Sequence, residues 1–181
     1  MAPRLVVLDR DGVINHDSDR FIKTPDEWQP IDGSLDAIAA LCSAGFTVAV
    51  ASNQSGIGRG LLRPFDLEQI HGKMLRLVAA RGGRIDHIVY CPHLPDEGCD
   101  CRKPEPGLLL QLADYYDSSM KDVPVIGDSG RDLAAAEAVG ARPILVRTGN
   151  GAKTMAALAA PVESYPDLAA AAAELISERN G

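Results

Sequence analysis

Asp9 and Asp11 stand one residue apart at the end of an apolar run, Leu5-Val6-Val7-Leu8, and Gly12 follows at once. The run has the character of a buried parallel strand, which shows no polar alternation because both of its faces are covered. Just past a strand end, two carboxylates backed by a glycine turn can point into one crevice. Placed so, they repel each other unless a cation lies between them, and a hard divalent ion such as Mg²⁺ takes oxygen ligands of this kind. The other reading is a strand that ends in an ordinary polar Asp-Gly turn.

Three later stretches carry the same kind of chemistry. Ser52-Asn53-Gln54-Ser55-Gly56-Ile57-Gly58-Arg59-Gly60 follows a second apolar run. It is either a flexible loop of small residues or a set of side-chain and backbone donors for phosphate oxygens. Arg102-Lys103, ahead of Pro104, could hold a phosphate, with Arg able to do so bidentately, or could be a solvated basic pair. Gly127-Asp128-Ser129-Gly130-Arg131-Asp132 again sets carboxylates after an apolar run. Asp128 can join Asp9 on a cation, and Asp132 can hold a water or Lys103 from behind. The stretch Asn15 to Arg20, with Asp17 and Arg20 in it, reads as a polar loop over the same end of the sheet, where specificity or a solvated surface is carried.

Cys91-x-His93 and Cys99-x-Cys101 fall in one short loop. Three thiols and an imidazole form the donor set of a closed, structural zinc site; a thiol–disulfide pair is the rival, which a reducing compartment and the clustered histidine disfavour. His71 and His87 read as surface or core residues rather than ligands.

The elements that must position these residues alternate along the chain. Apolar runs at 4–8, 46–51, 85–90, 123–126 and 141–146 are separated or followed by helical spacing at 35–44, 64–81, 108–116, 133–139 and 167–179. Such alternation predicts an α/β fold, a Rossmann-like parallel sheet with helices on both faces. Ligands of such sheets bind beyond the carboxyl ends of the strands, where all the stretches above fall.

At 181 residues the chain reads as a single domain, 1–181, with the zinc loop at 91–101 and no insertion large enough for a large cap domain. A net charge of −7 makes nucleic acid and anionic membranes poor partners, though it leaves a phosphorylated small molecule open. No apolar run is long enough to cross a bilayer, and Met1 precedes the first strand too closely for a secretory core region. The expectation is a soluble, cytoplasmic monomer acting on a small phosphorylated substrate.

Asp9-x-Asp11-Gly12-Val13, Ser52, Lys103 before a proline, and Gly127-Asp128-x-x-x-Asp132 together resemble the four motifs of the haloacid dehalogenase-like phosphatase superfamily. The Cys91-x-His93…Cys99-x-Cys101 loop is similar to its zinc-containing branch, which holds heptose bisphosphate phosphatases and histidinol-phosphate phosphatases. The stretches 52–60 and 145–149 resemble the first group, and the short zinc loop resembles the second. The resemblance implies hydrolysis of the 7-phosphate of D-glycero-D-manno-heptose 1,7-bisphosphate, a step toward the lipopolysaccharide core, with histidinol phosphate as the alternative substrate. It implies Asp9 as nucleophile and Asp11 as acid and base. Mg²⁺ would be held by Asp9, the Asp11 carbonyl and Asp128. Ser52, Asn53 and Lys103 would bind the phosphoryl group, and Asp17, Arg20, Gln54, Ser55, Arg59 and Arg102 the rest of the substrate. A non-enzymatic phospho-receiver module is the rival class; such modules carry the phosphorylated aspartate on a later strand than the acidic pair.

Overall fold

The computed structural model describes residues 4–180. Its strands are β1 (Arg4–Leu8), β2 (Phe46–Asn53), β3 (His87–Cys91), β4 (Pro124–Gly127), β5 (Arg142–Val146) and β6 (Ser164–Tyr165). Its helices are α1 (Ser34–Ser43), α2 (Pro64–Ala80), α3 (Gly107–Tyr115), α4 (Gly130–Ala138), α5 (Gly151–Ala157) and α6 (Leu168–Asn180). All the strands are parallel and form one sheet in the order β3-β2-β1-β4-β5-β6. This is the expected Rossmann-like α/β architecture.

Alternation along β1 divides the core in two. Val6 and Leu8 pack with Ile38 and Leu41 of α1, Ile70 and Met74 of α2, and Ala171 and Leu175 of α6. Leu5 and Val7 face the other way, toward Leu108 and Leu112 of α3 and Ala135 and Ala136 of α4. Each fully buried aliphatic side chain contributes roughly 1.5–3 kcal/mol, so the two layers clamp β1 in register with β2, Val6 opposite Val48 and Leu8 opposite Val50. That clamp matters for chemistry, because a one-residue slip would turn Asp9 to the opposite face of the sheet.

The chain runs outward from β1 to β2 and β3, then returns to β4 on the other flank of β1 and continues outward to β5 and β6. The reversal leaves a crevice at the carboxyl ends of β1 and β4, the place where such sheets bind their ligands.

Several boundaries differ from those the sequence predicts. Helix α4 begins at Gly130 rather than Leu133, because Ser129 and Asp132 cap it reciprocally: Ser129 N donates to Asp132 Oδ2 at 3.0 Å, and Ser129 Oγ accepts from Asp132 N. Strand β3 is shifted toward its end and takes in Cys91. Helix α5 and the two-residue β6 were not anticipated, since neither is long enough to show a period.

Candidate active site

Asp9 leaves the end of β1 with its amide donating to Ile126 O at 2.9 Å, which fixes the strand end against β4. Its carboxylate accepts from Arg10 N at 2.8 Å and lies 3.1 Å from Lys103 Nζ. Lys103 is buried, and its three N–H donors go to Asp9, to Asp132 Oδ1 at 2.6 Å and to Ala51 O at 2.8 Å. Burial pushes the Asp9 carboxyl well above the usual range; Lys103 pulls it down, and the charges of Asp132, Asp128 and Asp11 push it up again. Burial acts the same way on Asp132, but Lys103 and the Ser129 hydrogen bonds outweigh it and hold that group low. Asp132, at 2.6 Å against 3.1 Å, is therefore the stronger counter-ion of Lys103, and Asp9 is the partner whose charge the protein compensates less.

Oxygen atoms of Asp9, Asp128 and Asp132 lie within 4.8 Å of one another. Burial drives the Asp128 carboxyl up to about 6, against the hydrogen bond it accepts from Asn150 N at 2.8 Å. Gly12, at φ 83°, and Gly149 wrap this carboxylate so closely that a Cβ on either would collide with it. Crowded hard oxygen donors in a space that only glycine leaves open suit a small divalent cation such as Mg²⁺. The Asp11 carboxylate is not part of this group. It turns instead to the guanidinium of Arg10, to Asn15 Nδ2 at 2.9 Å and to Gln54 Nε2 at 2.8 Å.

Cys91, His93, Cys99 and Cys101 converge as the sequence suggests. Cys91 Sγ lies 3.7 Å from Cys99 Sγ and 3.1 Å from Cys101 Sγ, and His93 Nδ1 lies 3.4 Å and 3.2 Å from the sulfurs of Cys91 and Cys101. Zinc–sulfur bonds of about 2.3 Å in a tetrahedron put sulfurs about 3.8 Å apart, so Cys91 and Cys99 already stand at the spacing Zn²⁺ needs and Cys101 would move outward to reach it. The first ligand stands on β3 and the last precedes Arg102 and Lys103, so the loop is tied at both ends to the site.

A cleft of about 370 Å³ opens above these groups, lined among others by Asp9, Asp11, Asp17, Asn53, Gln54, Ser55, Arg59, Arg102, Lys103 and Asp128. Two residues singled out in the sequence stand apart from it. Ser52 is fully buried beneath, its Oγ accepting from Gln54 Nε2 at 2.7 Å, and Arg20 is exposed outside the lining. Asn53 and Gln54 line the cleft, but both are already engaged. Asn53 bonds the backbone of Lys103 through both ends of its amide, at 3.0 Å and 3.1 Å. Gln54 braces Asp11 and Ser52.

Sequence reasoning missed four contributors. Arg10 is fully buried against Asp11, and a lone cation between two acids at the end of an apolar strand was the available signal. Asn15 holds Asp11, and Asn150 links Asp128 to Asp17 through its side chain at 3.1 Å; only the fold brings these together. Arg131 lines the cleft from α4 beside Arg102 and Arg59. Among the described residues no carboxylate pairs with any of these three arginines.

The family model described as HAD-hyrolase-like matches residues 100–171. The chain is similar to the D-glycero-beta-D-manno-heptose-1,7-bisphosphate 7-phosphatase of Pseudomonas putida, at 56% identity over 174 residues, 96% of this chain and 99% of the relative. It is similar to the protein of the same name from Bordetella bronchiseptica at 51% identity over 177 residues, 97% of this chain and 99% of the relative. A crystal structure of the B. bronchiseptica D,D-heptose 1,7-bisphosphate phosphatase, complexed with magnesium and phosphate, superposes with a TM-score of 0.94 at 52% identity, covering 96% of this chain and 98% of that one. The corresponding enzyme from Burkholderia thailandensis superposes with a TM-score of 0.76 at 46% identity, with coverage of 96% and 98%.

Proposed function

This chain belongs to the D-glycero-β-D-manno-heptose-1,7-bisphosphate 7-phosphatase family of haloacid dehalogenase-like hydrolases, and from that membership we propose that it hydrolyses the 7-phosphate of the heptose bisphosphate. The observation that carries the substrate is the layout of the cleft. Nucleophile, acid and Lys103 lie in the same cleft as Arg59, Arg102 and Arg131, which pair with no carboxylate among the described residues, and this supports a cavity that receives two phosphates. Histidinol phosphate has a single phosphate and a cationic amine, and needs no such second place.

In this reading the Asp9 carboxylate attacks phosphorus while the P–O bond to the sugar breaks, and Asp11 gives its proton to the departing oxygen. An anionic substrate brought beside the Asp11 carboxyl raises its proton affinity, which opposes the acidifying hold of Arg10. Asp11 then takes a proton from the water that attacks the aspartyl-phosphate, freeing phosphate and restoring Asp9. As Asp9 loses charge on becoming an acyl phosphate, the Lys103 donor directed at it passes to a phosphoryl oxygen. Asn53, through the Lys103 backbone, and Ala51 O keep that lysine in place, while Ser52 holds Gln54 beneath the cleft. Asp9, Asp128 and the Asp11 carbonyl would hold Mg²⁺, which supplies charge neutralisation between the phosphate and the carboxylates. The zinc set would brace the loop that carries Arg102 and Lys103. The described residues 4–180 build one sheet with its helices, which supports reading 1–181 as one hydrolase domain without a large cap.

The deciding comparison is kcat/KM for heptose 1,7-bisphosphate against histidinol phosphate. A preference of ~100-fold for the bisphosphate is expected, corresponding to ~2.7 kcal/mol of differential transition-state binding. A preference for histidinol phosphate would overturn the substrate. Arg59→Ala is expected to raise KM for the bisphosphate about tenfold, the loss of one charged hydrogen bond, while leaving heptose 7-phosphate unchanged. Equal effects on the two substrates would remove Arg59 from the second phosphate.

Protonation of Asp128 competes with the cation. Because its carboxyl is pushed up to about 6, Mg²⁺ affinity is expected to be about tenfold weaker at pH 5 than at pH 7 in calorimetric titration. Affinity independent of pH would take Asp128 out of the ligand set. The same reading has the chain working as a monomer in the cytoplasm, without nucleic acid or membrane. The charge of −7 supports only the part that concerns nucleic acid and anionic membranes, and sedimentation as a species larger than 19.2 kDa would refute the monomer.

A further inference from the structure

Arg10 is a fully buried cation that, among the described residues, pairs with one carboxylate, that of Asp11. Its Nε and Nη2 donate to Asp11 Oδ1 at 3.0 and 2.8 Å, and Nη2 also reaches Oδ2 at 3.2 Å. The remaining edge of the guanidinium is occupied as well, by Gln54 Oε1 at 3.3 Å from Nη2 and by His71 Nε2 at 3.3 Å from Nη1. Arginine has only donors, so His71 must accept through Nε2 and is therefore the neutral tautomer protonated on Nδ1. Burial, aided by the Arg10 charge, lowers His71 to about 3, in keeping with that state. His71 sits on α2, buried, with its ring edge-on to Tyr90 of β3 at 6.3 Å between centroids. Arg10 is thus anchored to a packed helix and gripped from behind, with its fork turned to a carboxylate that lines the cleft.

We propose that Arg10, seated on His71, is a positioning residue for proton transfer: it fixes the rotamer in which the Asp11 carboxyl meets the leaving oxygen and then the attacking water. A fork making bonds to both carboxylate oxygens sets the plane of that group, which neither Asn15 nor Gln54 can do with one amide each. His71 sets the fork in turn. The inference rests on the reading of Asp11 as the acid and base.

A positioning role separates from a structural one by leaving-group dependence. A sugar alkoxide needs a proton to depart, whereas 4-nitrophenolate does not. Arg10→Met is expected to lower kcat for heptose 1,7-bisphosphate roughly 100-fold, a typical share for one proton-transfer group, with KM within about twofold. The pre-steady-state burst of nitrophenolate from 4-nitrophenyl phosphate should stay within about threefold of the parent, followed by a slowed steady state because water attack still needs Asp11. His71→Leu should show the same pattern at roughly a tenth of the parent kcat, and His71→Gln, which keeps an acceptor, should recover most of it. The histidine pair carries the comparison on an uncharged site should Arg10→Met fail to fold. A nitrophenolate burst that falls as far as heptose bisphosphate turnover, unchanged kcat for the bisphosphate, or identical behaviour of His71→Leu and His71→Gln would each overturn the inference. Asp11→Asn distinguishes the levels. If it retains turnover, the reading of Asp11 and this inference both fall. If it is inactive while the Arg10 and His71 variants are not, only this inference falls.

Discussion

Asp9→Asn is expected to reduce turnover by more than about 10⁴-fold, over 5 kcal/mol in transition-state stabilisation, without loosening the fold. An amide cannot form the acyl phosphate, and among the described residues the neighbouring carboxylates are engaged otherwise: Asp132 with Lys103, Asp11 with Arg10, and Asp128 with Asn150. Stability should move the other way. Burial and three neighbouring acids press the Asp9 carboxyl to stay protonated, so its charged form costs the native state. A carboxyl whose folded-state affinity for protons is raised stabilises at low pH and loses that contribution as pH rises through its folded pKa. Removing the charge therefore helps more at high pH. Lys103 keeps Asp132 and Ala51 O, so it is not left bare. Without added magnesium, the Tm of Asp9→Asn should equal or exceed that of the parent at pH 5, and the difference should widen toward pH 8. Retained turnover would remove Asp9 as the nucleophile. A Tm lowered across the whole range would mean that the carboxylate is a structural partner of Lys103 rather than a strained reactive group.

The parts of this site that the sequence reveals are those where local pattern and local chemistry coincide. An apolar run that stops at Asp9 gives both the strand and the acid at its end, and the same holds for Asp128 after β4. The zinc donors lie within eleven residues of each other, so their pairing needs little knowledge of the fold. What could not be read is what the fold brings from a distance. Asn150 reaches Asp17 and Asp128 across 133 and 22 residues, and His71 reaches Arg10 across 61. Residue type alone also does not show which side chains are already engaged. Gln54 and Asn53 carry amides suited to phosphate, yet tertiary packing commits them to Asp11 and to the Lys103 backbone, because a buried amide must find partners among its neighbours. Arg10 shows the limit most clearly. Its place between two acids marks it in the sequence, but its burial and its seat on His71 come only from the α2 helix closing over it.

Cys101→Ser is the substitution from which the largest loss of stability is expected. Cys101 is buried in the layer with Cys91, Leu108 and Leu112, and its sulfur lies against both Cys91 and His93. The loop between β3 and α3 is held by few apolar side chains of its own, so the metal donors must serve as its core. Losing one thiolate from a closed site should release zinc and cost roughly 3–5 kcal/mol, about 10 °C in Tm for a chain of this size. The effect should not stop at the loop. Lys103 stands two residues beyond Cys101, its backbone tied to Asn53 and its ammonium to Asp9 and Asp132, so a slackened loop should also withdraw the cation from the Asp9 carboxylate. Elemental analysis should find the parent carrying one zinc and the variant almost none, and turnover should fall together with Tm. Cys42→Ser is the control: that thiol lies on α1 beside Arg84, away from the cluster, and its removal should leave zinc and activity intact. A full zinc complement in Cys101→Ser would refute the ligand set. Zinc loss with Tm and turnover unchanged would refute the bracing role instead, and would mean that Asn53 and Asp132 hold Lys103 without help from the metal.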